Sequence, residues 1–306
     1  LKIIVTGGAG FIGSHVSEAC LAAGHEVIII DDLSSGHSEN VPSAVRFEQL
    51  DIRSPEAAAL VIETAPDVLI HHAAQMNVRV SVDKPAYDAD INVVGFINLL
   101  EAARQVGTRR VIFASSGGTV YGEPEQIPCG EDQPLLPVCP YGVSKLAGEQ
   151  YLYYYSRCHG IGYTALRYAN VYGPRQDPHG EAGVVAIFCR KLIVGDDPVI
   201  YGDGEQTRDY VYVGDVVRAN MAAIERNYDG AVNIGTGKET SVNYLAERMI
   251  VSVGSDNTPS HEDARLGEVQ RSALDVTLAG KVLGWEPLTS LDEGLVATIE
   301  FFRSRS

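Results

Sequence analysis

A short apolar run at residues 2–6 leads straight into Gly7-Gly8-Ala9-Gly10-Phe11-Ile12-Gly13, and an amphipathic stretch at 14–23 follows. Few folds accept that order. The Gly8-x-Gly10-x-x-Gly13 spacing puts glycine where a strand turns sharply, where main chain approaches a phosphate, and where helix and sheet touch. The free N–H groups at the helix start then suit an anionic diphosphate. Glycine triplets also serve plain turns, so context decides. The next apolar run, 26–30, closes on Asp31-Asp32, about 20 residues beyond the loop, where a carboxylate meets a ribose in dinucleotide sites. Asp31 would accept from ribose hydroxyls and repel a 2′-phosphate. No Arg or Lys stands between it and Arg46, which favours NAD over NADP. No Gly-Lys-Ser/Thr ends the loop, so a P-loop is excluded.

Apolar runs at 45–49, 68–70, 110–114 and 162–167 alternate with helical patterns at 54–64, 83–105 and 141–158. That rhythm predicts α/β architecture, a Rossmann-type doubly wound parallel sheet whose strands are apolar on both faces. From Gly173 the chain becomes rich in Pro and Gly around one helix at 184–194, which reads as a smaller lobe. Helix 214–227 and a strand at 232–235 are regular enough to rejoin the sheet. The expected division is therefore interleaved: 1–172 plus 211–235 as the NAD-binding domain, 173–210 plus 236–306 as the substrate-binding lobe.

The net charge of −16 over 306 residues argues against nucleic acid and anionic membranes as partners. Any anionic ligand must be held by local arginines. No apolar run approaches the roughly 18 residues of a membrane span, and a strand expected from residue 2 leaves no signal peptide. A cytoplasmic location is expected. The five cysteines are odd in number and lack metal-type spacing, which fits reduced thiols. His71 and His72, adjacent at a strand end, should point to opposite sides, which argues against a shared metal.

Tyr141-Gly-Val-Ser-Lys145 opens a helix, and the i, i+4 spacing sets phenol and ammonium on one face. A phenol with a free pKa near 10 is a poor base at neutral pH, but a neighbouring ammonium and a cationic nicotinamide both favour phenolate. Downstream of a dinucleotide loop, the pair reads as a general base.

With these residues the sequence resembles the extended short-chain dehydrogenase/reductase superfamily, and within it the UDP-glucose (UDP-galactose) 4-epimerases. The resemblance covers nearly the whole chain. Besides the two motifs above it rests on Asp31-Asp-Leu33, Asp51-Ile52, His72-Ala-Ala-Gln75, Asn92, Thr119-Val-Tyr-Gly122, Arg167-Tyr-Ala-Asn170, Gly202-Asp-Gly204, Arg208-Asp-Tyr210 and Arg265-Leu-Gly-Glu268.

The resemblance implies NAD contacts from Gly7, Gly10, Phe11, Ile12, Gly13, Asp31, Asp32, Ser34, Ser35 and Gly36. Asp51 and Ile52 would flank the adenine, Ala73, Ala74 and Gln75 the middle, and Asn92 the nicotinamide side; Ser115, Tyr141, Lys145 and Tyr168 complete the set. For a UDP-sugar it implies Asn170, Arg208 and Arg265 at the diphosphate, Glu268 at the ribose and Val199 and Tyr201 near the uracil. Val184 and Ser272 are also placed in that site. Tyr141 would take the 4-hydroxyl proton while C4 gives hydride to NAD; the 4-keto sugar turns over, and both return to its other face. A homodimer through helices 83–105 and 141–158 is implied, with Tyr151, Tyr153, Tyr154 and Tyr155 at the interface.

Two positions depart from the family pattern. Gly117 stands where a Ser or Thr usually bonds the reacting oxygen, so Ser116 or Thr119 must substitute, with Thr119 favoured because a strand end would aim it to the same side. Met76 replaces a common cofactor-contacting Lys. The competing activities are a nucleotide-sugar 4,6-dehydratase and a UDP-glucuronate decarboxylase, whose acids before Val-Tyr-Gly are missing at Gly118-Thr119. A non-catalytic NAD- or sugar-nucleotide-binding protein is disfavoured by the intact Tyr141 and Lys145.

Overall fold

The computed structural model describes residues 1–179, 183–264 and 269–305. Six strands arise by residue 168: β1 (Lys2–Thr6), β2 (Glu26–Asp31), β3 (Arg46–Gln49), β4 (Val68–His71), β5 (Arg110–Ser116) and β6 (Gly162–Tyr168). The strand Gly230–Ile234 joins them, giving one sheet in the order Gly230–Ile234, β6, β5, β4, β1, β2, β3, with every pairing parallel. Alternation along β1 explains its burial: Ile3 and Val5 enter the apolar cluster on one face, Ile4 the cluster on the other. Helices α1 (Phe11–Ala22) and Val213–Glu225 cover the first face; α2 (Pro55–Thr64) and α5 (Phe96–Val106) cover the second. The strand order reverses between β1 and β4, so a crevice opens at their carboxyl ends, where ligands bind in such sheets.

The expected single helix at 83–105 is instead broken. Helix α3 (Val78–Asp83) stops before Pro85, which starts α4 (Pro85–Ala89); a π-helical turn, Asp90–Gly95, then leads into α5. Proline removes a helical N–H and restricts the residue before it, hence the break at Lys84. The long helix α6 (Pro140–His159) runs beside α4 and the π-turn and ends at Gly160 in the left-handed region.

A third apolar cluster gathers helices Val184–Ile193, Val242–Val253 and Leu291–Arg303 around Tyr172 and Tyr210. Short strands tie this side together: Asn170–Tyr172 with Tyr210–Tyr212, Thr207–Arg208 with Thr240–Ser241, and Val199–Tyr201 with Ser260–Glu262. Of the four tyrosines in the C-terminal half of α6, Tyr151, Tyr153 and Tyr154 are exposed. Tyr155 is not available to a partner: it turns inward and its hydroxyl donates to Glu101 Oε1 at 2.5 Å.

Candidate active site

The turn after β1 is shaped around contacts that leave no room for side chains. Gly7 lies at φ +69°, and a Cβ there would come within 2.6 Å of the Ala73 main-chain nitrogen; at Gly13 it would meet the Gly7 carbonyl at 2.1 Å. Gly10 precedes α1 without a side-chain cap, and the first turn carries no acid. The uncapped N–H groups therefore face outward with the positive end of the helix dipole, a cradle that fits a diphosphate. Asp31 ends β2 beside it and accepts N–H bonds from Ala9 (3.0 Å) and Leu33 (2.9 Å). Burial raises its carboxyl above the ordinary value, opposed by those two bonds. Asp32 is exposed and holds Ser34 through both N–H and hydroxyl, shaping the loop that carries Ser35 and Gly36. These residues fit the ribose end of a dinucleotide.

Farther along the crevice, Asp51 is pinned by Arg53, which also pairs with Asp90 at 2.7 Å. Ile52 is buried beneath Gly95 of the π-turn, and Ala73 and Ala74 follow β4 half-buried. Gln75 and Asn92 lock together: the Gln75 N–H donates to Asn92 Oδ1 (2.8 Å) and Asn92 Nδ2 returns to the Gln75 carbonyl (2.9 Å). His71 and His72 diverge as expected, His71 to Thr6 Oγ1 and His72 to the Tyr168 hydroxyl. Among the described residues no cluster of three or more His, Cys, Asp or Glu could hold a metal.

Tyr141 and Lys145 occupy the first turns of α6, with the ammonium 5.6 Å from the phenol ring centroid and 5.0 Å from that of Phe113. Lys145 is only 3% exposed. Burial pushes the ammonium down to about 8 and the phenol up, the latter reinforced by Asp88 and Cys139. Desolvation drives both groups towards neutrality, so a phenolate here needs added positive charge.

The Ser115–Thr119 stretch gives a less expected picture. The Ser115 hydroxyl donates to Glu149, which is paired with Arg167 in a fully buried ion pair, so it is committed to that network rather than to the crevice. Tyr168 likewise spends its hydroxyl on Asn220 and His72. A Cβ at Gly117 would meet Leu274 at 2.5 Å, so that position does not point to the crevice at all. Thr119 does differ: its Oγ1 is buried and has no hydrogen-bond partner, while its carbonyl abuts Gly142 next to Tyr141. Ser116 is half-buried.

On the opposite side, Asn170 and Arg208 are drawn together by Asp209. Its carbonyl accepts the Asn170 N–H at 2.9 Å, and its carboxylate accepts from Thr236 N–H and hydroxyl, Gly237 N–H and Leu274 N–H. Val184 begins its helix half-buried, Val199 and Tyr201 flank a short strand, and Ser272 sits half-buried two residues before Leu274. Arg265 and Glu268 lie outside the described residues. The motifs had not singled out Asp88, Ser144 or Glu149. Asp88 lies four residues before Asn92, but nothing in the sequence marks it as buried.

Comparison with known proteins bears on the family and the fold. Residues 3–235 match the model of the NAD dependent epimerase/dehydratase family. The chain is 47% identical over 312 residues to a UDP-glucose 4-epimerase of Mycolicibacterium smegmatis, covering 100% of both. It is similar to the crystal structure of a UDP-glucose 4-epimerase with UDP-glucose from Thermotoga maritima (TM-score 0.98, 46% identity, 100% and 99% of the chains). A Thermus thermophilus UDP-glucose 4-epimerase in complex with NAD superposes with a TM-score of 0.93 at 42% identity, covering 100% of both. A family model matched over most of the chain, with identity to relatives along its full length, leads to one assignment: the chain belongs to the NAD-dependent epimerase/dehydratase family.

Proposed function

We propose that the chain is a UDP-hexose 4-epimerase, interconverting UDP-glucose and UDP-galactose and accepting the N-acetylated pair. The observation that supports it most is the Tyr141–Lys145 pair on one buried face of α6, beside an uncapped glycine cradle. The names of the full-length relatives point the same way. Bound NAD supplies a hydride acceptor for the sugar's C4 and a positive charge beside the phenol. Gly7, Gly10, Gly13 and the start of α1 hold its diphosphate, and Asp31 its ribose. Tyr141 then removes the 4-hydroxyl proton and later returns a proton to the same oxygen on the other face of the sugar. Lys145 supports the phenolate and holds a ribose hydroxyl; Thr119 bonds the reacting oxygen. Asn170 and Arg208, joined by Arg265 and Glu268, anchor the UDP while the sugar turns. Guanidinium forks suit a diphosphate better than ammonium groups do.

Elimination or decarboxylation needs an acid that Gly118-Thr119 does not supply. The exposed Val78, Val82, Tyr87 and Val94, with Val143, Tyr151 and Tyr154 of α6, support a homodimer across these helices. No helix among the described residues is long and apolar enough to cross a membrane, and free cysteines suit a reducing cytoplasm. The purified protein should convert UDP-glucose and UDP-N-acetylglucosamine, but not UDP-glucuronate, without added NAD, as read by NMR. Release of water or carbon dioxide from any of the three would overturn the reading.

A further inference from the structure

Asp88 is a carboxylate with no exposed surface, and no Lys or Arg bonds to it among the described contacts. Oδ1 accepts from Gln75 Nε2 at 2.8 Å and Asn92 Nδ2 at 3.0 Å; Oδ2 accepts from Ser144 Oγ at 2.6 Å. Every neighbour donates, which is the environment an acceptor-only carboxylate requires. The three donors belong to three structures around the crevice: the loop after β4, the π-turn, and the turn of α6 between Tyr141 and Lys145. A buried charge is costly without such partners, so a residue serving only to tie helices together would be served as well by a neutral side chain.

The charges around the pair are few. From α4 comes Asp88; from β4 and the residue after it, His71 and His72; ahead of α6, Cys139; on α6 itself, Glu149 is already spent on Arg167. Arg79 and Asp83 of α3, Lys84 and Asp90 are exposed to solvent. Asp88 is thus the buried negative charge that faces both Tyr141 and Lys145.

We infer that Asp88 is a positioning residue that fixes the first turns of α6 against the crevice loop, and whose charge balances the Tyr141–Lys145 pair so that the phenol can return the proton it takes. The inference rests on the reading of Tyr141 as the acid–base group. An epimerase needs that group twice, as base and then as acid, and a phenolate stabilised too far is a poor acid. Lys145 and a bound cationic ring favour phenolate; Asp88 opposes them. Removing its charge should make the phenolate easier to reach.

The test is kcat/KM for UDP-glucose as a function of pH on the NAD-loaded enzyme. Asp88→Asn is isosteric and can keep all three bonds, since the Ser144 hydroxyl can accept as well as donate. Its acid limb should move by about half to one pH unit towards acid, with bound NAD and Tm near the parent. Ser144→Ala keeps the charge, so kcat should fall several-fold while the limb stays in place. An unmoved limb in Asp88→Asn overturns the charge role. Tyr141→Phe, run alongside, separates the two readings: full activity there sinks the base assignment, whereas an inactive Phe variant with an unmoved Asn limb sinks only this inference. Should Asp88→Asn not fold, Asp88→Ser reads the same limb; if neither folds while Ser144→Ala does, Asp88 serves folding alone and the inference fails.

Discussion

The two sides of the crevice are built in different ways. The cradle side is seven parallel strands, and its glycine turn, Asp31 and the start of α1 all fall within the first βαβ unit. The opposite side is assembled from pieces: strands of two or three residues join 199–201 to 260–262 and 207–208 to 240–241, and Asp209 clasps 236, 237 and 274. A dinucleotide can be held by one contiguous stretch because its diphosphate needs only main-chain N–H groups and a dipole. A particular sugar nucleotide must be recognised by side chains brought from several segments. The difference predicts that chemistry, cofactor retention and substrate choice can be broken separately.

The largest effect is expected at the rim of the cradle side. Tyr141→Phe keeps the ring that packs beside Lys145 but loses the proton carrier. The kcat should fall by at least about 100-fold, the lower bound usual for a general base, while NAD stays bound at the parental ratio. Turnover within that bound, measured on protein of normal NAD content, would show that another group moves the proton.

Next comes the hydroxyl at Thr119. Its Oγ1 is buried and unpartnered, which is costly unless a substrate oxygen completes it. Thr119→Ala should lower kcat about 10- to 100-fold, the scale of a transition-state hydrogen bond of roughly 1.5 to 3 kcal/mol. Ser116→Ala should be milder. Adding the usual family hydroxyl back as Gly117→Ser should not rescue the Ala variant, because that side chain would drive into Leu274. Rescue would mean the loop moves to admit it.

How much of this was legible in the sequence follows the same division. Parallel strands, their crossover helices and the cradle follow from apolar periodicity and a contiguous glycine motif, because those contacts are local. The break at Lys84 and Pro85 was written in the sequence too, but a long apolar period overrode it. Asp88, the Glu149–Arg167 pair and the Asp209 clasp were not readable as a network. Each joins residues distant along the chain, and a lone Asp or Glu on a helix looks like any solvated charge until its burial is known. Ser115 and Tyr168 show a further limit: motif position sets them at a cofactor, but that their hydroxyls bond to Glu149 and to Asn220 is visible only in the fold.

A smaller and selective effect should follow on the opposite side. Ser272 is half-buried two residues before Leu274, whose N–H Asp209 holds, and the proposed function sets it beside the sugar's C2 substituent. Ser272→Tyr should reduce activity on N-acetylated UDP-hexoses by about 10-fold and on plain UDP-hexoses by less than about 2-fold, since overfilling a pocket penalises the bulkier ligand. Parallel kinetics on the two substrates decide this; equal losses would show that the position does not gate the sugar.

The smallest effect is on stability, and it separates the sides by pH. His71 is buried against Phe96 with ring centroids 4.4 Å apart and bonds to Thr6 Oγ1; His72 meets the Tyr168 hydroxyl at 3.3 Å and has a buried Nδ1 without a partner. Burial holds His72 down to about 3 and His71 well below the ordinary 6.5. In the folded state both therefore stay neutral where the unfolded chain takes up protons. The sign follows: stability is fully present above about pH 6.5 and is lost as pH falls from there towards 3, at up to about 1.4 kcal/mol per pH unit for each group. Both rings lie at the carboxyl end of β4, so acid should loosen the sheet side. Urea midpoints of the holoenzyme between about pH 7.5 and 5 should decline with pH, and His72→Asn should flatten that decline. Parallel slopes for parent and variant would mean that His72 accepts a proton without leaving the fold, and that its contact with Tyr168 adapts to the charge.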